Sequence, residues 1–414
     1  MINNIIKYNI PFDTNITKFL LDYQNDNLQQ LLTFKQPYTA LLSLDKLSTT
    51  RSSIQNKNNN FTPILNNLNN VLATFKALIK EYYPTDISSI LDTINTYSKL
   101  PSYLVSKFKS QSIPIPMPIN TDLLEILHKY HNLLFPSSNS YSPNILFACS
   151  NDYTNINSIN YHLTKHKMDY NWYAHNYYGE NLYNSSNSNK WIIGKDNIIQ
   201  TYMEVAEFAK KTKTDIIIST SNGLNYNDET HKDLYLQKMD YTQLLLIANS
   251  LSNGGRCITR CYGVNINNDN ETIESNINYV YELIYNYMQF FKEVAIYKPI
   301  SSINSNTDFY IIGSGFVANA ELLGKLTKFV NNLELNNNNK SIKIPKKVIE
   351  ELIIYIENLI TNTANYYELS NTVIGCNKYS KEYKEKLNCK SMLAKSKNKM
   401  DELYSSWCKY SGIN

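Results

Sequence analysis

Residues 215–316 restrict the fold of this chain more than any other stretch. An apolar, β-branched run from Ile216 to Ser219 ends in the polar turn Ser221-Asn222-Gly223. A helical pattern follows, closed at Gly254-Gly255, and a new β run starts at Cys257. This is a strand–helix–strand crossover, the unit from which parallel sheets are built. After a second helical stretch, Val294–Tyr297 and Phe309–Ile312 read as neighbouring strands joined by a Ser/Asn-rich loop. The pattern predicts a parallel series that enters an antiparallel last pair.

The α/β alternation reaches back to Thr121. TDLLEILHKYHNLLF reads as a helix with Thr121 or Asp122 as N-cap and Glu125 in its first turn. Asn144–Ser150 is a buried strand, INSINYHLTKH a helix, Tyr170–Tyr178 an aromatic strand, and 195–211 contains a further helix. Before this region, the segments starting at Phe12 and Thr62 carry apolar residues at helical spacing, the second with Pro63 near its start. SQSIPIPMPIN, residues 110–120, alternates proline with apolar residues and is an extended connector. Three regions result: helical residues 1–118, an α/β domain at 119–318, and a helical region at 319–414 that includes a low-complexity loop and a Lys-rich final segment. That last segment reads as a solvated helix face, with an RNA-binding arm as the alternative.

Composition sets further bounds. A chain of 414 residues with 43% hydrophobic residues can bury a sizeable core, and its 18% charged residues fall below the roughly 25% of ordinary domains. The abundance of Asn, Ile, Tyr and Lys fits an AT-rich genome and says nothing of mechanism. A formal charge of +4 is compatible with RNA binding without diagnosing it. The six cysteines include no CxxC pair, so neither a zinc site nor a disulfide framework is indicated. His128 and His131 read as helix-surface residues, and the ExxH of Glu125 and His128 has no second copy to build a di-iron pair. No metal is therefore expected. Absence of a signal-like start and of an apolar run of ~18 residues points to a cytoplasmic protein rather than a membrane one.

The phrase KPISSINSNTDFYIIG resembles the Lys-Pro, Ser-Ser, acidic-x-Tyr ending of the FtsJ-like RNA 2′-O-methyltransferases. Asn171-Trp172 in an aromatic strand, the Thr-x-x-Gly turn and the helical flanks resemble the members carried by large DNA viruses such as African swine fever virus. The resemblance covers about half the chain. It implies a Rossmann-like, S-adenosylmethionine-dependent methyltransferase fold with a mostly parallel seven-stranded sheet, and RNA as partner. In that family a Lys-Asp-Lys-Glu tetrad surrounds the attacking 2′-hydroxyl. By the resemblance its places fall to Lys129, Asn222, Arg260 and Asp308, so only the first keeps the family's residue. Arg260 keeps positive charge but never serves as a base; Asn222 supplies no negative charge; Asp308 is one methylene shorter than glutamate. The cofactor loop departs further. Where the family has a glycine-rich turn, this chain has Cys149, Ser150, Asn151, Asp152 and Tyr153, with no glycine for close backbone approach and with tyrosine bulk added. Asp196 is placed to reach the adenine or ribose, or to cap a helix, and Asn222 borders the same site.

Two readings follow, with a third beside them: a non-catalytic RNA- or partner-binding descendant, an active cap 2′-O-methyltransferase, or a virion component retaining the fold. The departures favour the first. Ser252–Gly255 reads as a helix stop, not a phosphate loop. Trp172 and its neighbouring tyrosines read as core rather than as a base-stacking platform.

Overall fold

A computed structural model describes residues 39–42, 51–52, 61–80, 100–110, 118–136, 141–148, 153–176, 190–193, 214–220, 232–266, 270–302, 305–332, 344–382 and 401–413. In chain order the elements are β1 (Thr39–Leu42), β2 (Arg51–Ser52), α1 (Thr62–Ile79), α2 (Leu100–Ser110), α3 (Thr121–Lys129), α4 (His131–Leu134) and β3 (Asn144–Ala148). Next come α5 (Thr154–Lys165), β4 (Asn171–Asn176), β5 (Trp191–Ile193), β6 (Thr214–Ser219), α6 (Lys232–Ser250), β7 (Leu251–Cys261) and α7 (Asn270–Phe290). Then follow β8 (Phe291–Tyr297), β9 (Phe309–Phe316), α8 (Ala320–Asn332), β10 (Ile344–Pro345) and α9 (Lys346–Glu382), and residues 401–410 form a last helix, α10.

One sheet organises the molecule, in the order β1-β8-β9-β7-β6-β3-β4-β5. The run β7-β6-β3-β4-β5 is parallel throughout, and β9 lies antiparallel between β7 and β8. The seven strands β3 to β9 thus form the sheet of a Rossmann-like methyltransferase fold, with the strand order reversing between β3 and β6. The eighth strand, β1, pairs antiparallel with β8 and extends the edge. It comes from the N-terminal region, read above as helical. The helix pattern from Phe12 and residues 383–400 of the Lys-rich segment lie outside the described residues.

Both faces of the sheet are covered, which is why its strands read as nearly unbroken apolar runs. Alternate residues feed two cores. Leu146, Ile217, Cys257, Val294 and Ile311 face α6, α7, α9 and α1; Ile145, Phe147, Ile216, Ile218, Ile258 and Ile312 face α3, α4 and α5. Against the first core α1 lays Leu65, Leu68 and Leu72, and Pro63 at its start fits the first helical turn. A third cluster joins α2 to α10 through Leu104, Phe108, Leu403 and Trp407, with Leu124 of α3 beneath.

The glycine pair does not stop a helix. Helix α6 ends at Ser250, and β7 already begins at Leu251 and runs through Ser252-Asn253-Gly254-Gly255. Pairing of β7 with β6 jumps from Leu251 opposite Thr214 to Arg256 opposite Ile216, so the intervening residues form a bulge. Gly254 takes φ +78 there, and a Cβ on Gly255 would sit 2.6 Å from Leu251 Cγ. Both glycines are required by this bulge rather than by a helix C-cap.

Candidate active site

Two of the four tetrad positions are in direct contact. Arg260 near the end of β7 and Asp308 just before β9 meet because Arg260 pairs with Tyr310 across the antiparallel ladder. Arg260 Nε donates to Asp308 Oδ2 at 2.8 Å, and Nη2 reaches the same oxygen. The other oxygen, Oδ1, takes an ion pair from Lys298, the lysine of the Lys-Pro motif, whose amine also donates to Asn306 Oδ1 at 3.0 Å. Asp308 is thus held between two cations, with its side chain only 3% exposed and that of Lys298 8%. Burial alone would raise the Asp308 carboxyl, but Lys298 and Arg260 hold it below the usual carboxylate range. Burial also pulls the Lys298 amine down, opposed by the same carboxylate. We take the ionised triad as the resting state, since each cation contacts the carboxylate directly. The sequence signal for Lys298 is its place in the Lys-Pro motif, ten residues before Asp308 along a hairpin.

A second acidic layer comes from α3. Asn120 caps this helix by accepting from Leu123 N at 3.1 Å, and that sets Asp122 and Glu125 on the face toward β8 and β9. Asp122 accepts from Ser301 Oγ at 2.7 Å and Tyr310 Oη at 3.2 Å. Its carboxyl is raised by burial, against the pull of Ser301 and Arg260. Glu125 is fully buried. It accepts from Tyr297 Oη at 2.5 Å, Ile300 N at 2.7 Å and Trp407 Nε1 at 2.7 Å, with Ser301 N and Oγ slightly farther. Burial lifts it to about 7, although these donors favour the ionised form. Glu125 therefore ties α3, the Lys-Pro-Ile-Ser-Ser turn and α10 together. Its ExxH appearance gave no hint of this, because Trp407 lies far away in sequence.

Lys129 is exposed and stands at the edge of the same group. Its amine donates to Tyr410 Oη at 3.2 Å and lies 4.9 Å from the centre of the Tyr297 ring. Asn222, Cys149, Ser150, Asn151, Asp152 and Asp196 lie outside the described residues. Tyr153, just before α5, turns its ring against Trp191 at 5.2 Å, and Trp191 packs edge-on to Trp172 at 6.0 Å. Trp172 is 8% exposed and belongs to the core, as its strand position suggested.

At the reversal point between β3 and β6, where ligands of doubly wound sheets bind, polar groups are engaged with one another. Asn155 Nδ2 donates to Thr220 Oγ1 at 2.7 Å, and Asn155 Oδ1 accepts from Asn120 Nδ2 at 2.8 Å. A Rossmann-like fold is compatible with S-adenosylmethionine in general, but these described groups already serve one another, so none is assigned to hold it. A separate cavity of ≈ 130 Å³ opens between α6, α7 and the loops flanking β7 and β9. Its wall includes Asp240, lifted by burial to about 7 and bonded by Tyr279 Oη at 2.9 Å. Among the described residues, neither Lys129, Arg260 nor Asp308 lines it.

No known family signature matches this sequence, and no curated protein does. Among solved structures, a ribosomal RNA methyltransferase from Plasmodium falciparum superposes at a TM-score of 0.32 with 15% identity, over 49% of this chain and 100% of that one. That likeness is weak and adds no argument; the strand order itself defines the class, a methyltransferase-type α/β fold. Nothing in the comparisons points to a viral protein. No helix among the described residues is long and apolar enough to cross a membrane.

Proposed function

We propose that this chain is a non-catalytic, RNA-binding descendant of the RNA 2′-O-methyltransferases. The observation that carries this reading is the closed ion-pair triad. A 2′-hydroxyl must lose a proton as it attacks, so a working site keeps an amine and a carboxylate where the substrate oxygen reaches them. Here Asp308 spends both oxygens on Arg260 and Lys298 and is 3% exposed. Arg260, being an arginine, takes no proton. The glycine-free loop at 149–153 supports the same reading. RNA would bind through phosphate contacts to basic side chains, chiefly the lysines between 384 and 399 of the sequence.

The test is RNA binding by fluorescence anisotropy in a salt series. The expected result is affinity that falls steeply with salt, drops when Lys384, Lys386, Lys395, Lys397 and Lys399 are changed together to Gln, and is unchanged in Lys129→Ala. Equal or larger loss in Lys129→Ala would move the RNA to the ancestral cleft and contradict the reading. Deleting the C-terminus is unsuitable for this purpose, because Trp407 is buried against Glu125.

One observation favours a second reading, an active cap 2′-O-methyltransferase. Lys298 gives the group an amine that Arg260 lacks, drawn below its ordinary value by burial. Methyl transfer to capped RNA that disappears in Lys298→Ala, in a variant that still folds, would establish it.

A further inference from the structure

Four of the six histidines in this chain gather at one place on the α3–α5 side of the sheet: His128, His131, His162 and His166. Three of them offer ring nitrogens that all lie within 4.8 Å of one another. His131 Nδ1 stands 3.0 Å from His162 Nε2, and the His131 and His166 rings stack with centroids 4.0 Å apart. The backbone accounts for this convergence. His162 and His166 are four apart at the end of α5, so they share one helix face. His131 opens α4, at the point where α3 and α4 pack over α5.

We infer that His131, His162 and His166 form a binding site for a divalent transition-metal ion of zinc's type. Imidazole is the usual nitrogen ligand for such ions, and three histidines with an open fourth position make a complete donor set. At metal–nitrogen distances of about 2.0–2.1 Å, tetrahedral ligands stand roughly 3.3 Å apart. The 3.0 Å pair is already near this spacing. His166 is exposed at the C-cap of α5 and can turn to complete the set. In the His131–His162 pair, the ring that donates would shift its proton to its other nitrogen, so that both lone pairs face the ion with no net proton lost. His162 is 4% exposed, which fixes the inner ligand, while His166 on the outer side is exposed. Occupancy would tie α4 to the far end of the helix whose start carries Asn155.

The test uses the full chain, titrated with Zn²⁺ by calorimetry and with Co²⁺ by visible absorption, with histidine ring signals followed by NMR. One equivalent is expected, with Co²⁺ bands of nitrogen ligation and shifts confined to the histidines of this group, His175 and His231 staying put. His166→Ala, an exposed change that leaves the fold intact, should weaken binding by at least the roughly 10- to 100-fold that loss of an outer-shell partner costs. No binding at ~100 μM metal, well above the range of a built site, would overturn the proposal. So would binding that His166→Ala leaves unaltered, or shifts at His175 and His231 instead.

Discussion

Asp308 decides how the centre of the site behaves. One carboxylate neutralises two buried or half-buried cations, so its removal leaves both without their counter-charge. Breaking a buried pair in this way costs about 3–5 kcal/mol. Asp308→Asn should therefore lower stability by that order, read as a shift in the urea midpoint at constant slope. A change under about 1 kcal/mol would mean the triad is not structural. Glu125 gives the pH signature. Its ordinary value is 4.5 and its folded value about 7, so between these pH values the folded chain holds more protons than the unfolded one. Stability from this group must then fall as pH rises from 4.5 to 7, and level off above. The protonated form is accommodated because Tyr297 Oη can turn to accept, with Tyr410 Oη next at 3.3 Å. Subtracting the Glu125→Gln profile from that of the natural chain isolates this slope; a difference that is flat, or rises with pH, contradicts the assignment. Of these groups, Arg260 and Asp308 were singled out in the sequence by the family resemblance, and the structure places them in contact. Glu125 was not, since its partner Trp407 comes from an element whose approach no local pattern encodes, whereas Lys298 stands only eight and ten residues from Asn306 and Asp308 along the same hairpin. The histidine group escaped for the same reason: His128 and His131 form one close pair in sequence and His162 and His166 another, and no local pattern brings the two pairs together.

The strands β3, β6, β8 and β9 were legible because burial on both faces demands continuous apolar runs, and those runs stand out against polar turns. Two elements were misread. β1 is a four-residue strand, Thr-Ala-Leu-Leu, with no strong preference of its own; pairing with β8 makes it one. The start of β7 carries Gly254-Gly255, which resembles a helix stop, yet the sheet pairing holds these residues as a bulge. The two glycines should respond differently to alanine. At Gly254 there is open space, so the cost is that of positive φ alone, about 1 kcal/mol. At Gly255 the new methyl meets Leu251 and the Ser252 carbonyl, so the loss should be larger, of the 1–3 kcal/mol typical of overpacking. Thermal unfolding of the two variants checks the order, and a reversed order would contradict the bulge. The C-terminal helix α10 is as much part of the structure as any strand. Trp407→Ala should cost about 3–5 kcal/mol through the lost ring, with the unpaired Glu125 oxygen adding to it.

Taken whole, the molecule is a methyltransferase-type sheet extended at one edge by an N-terminal strand and braced by helices from both ends of the chain. The α/β core could be foreseen from strand–helix alternation, whereas the way α1 and α9 pair and α10 plugs onto α3 could not, because amphipathic helices show which face is buried and not against what. Under the proposed reading this scaffold does not carry out methyl transfer, and three features support that proposal: Asp308 held by two cations, Asn155 and Thr220 bonded to each other at the reversal point, and a loop at 149–153 without glycine. Calorimetric titration of the full-length protein with S-adenosylmethionine tests this most directly. The expected result is no saturable binding tighter than ~1 μM, about −8 kcal/mol. A dissociation constant below that value, accompanied by methyl transfer to capped RNA that Asp308→Ala abolishes, would contradict it.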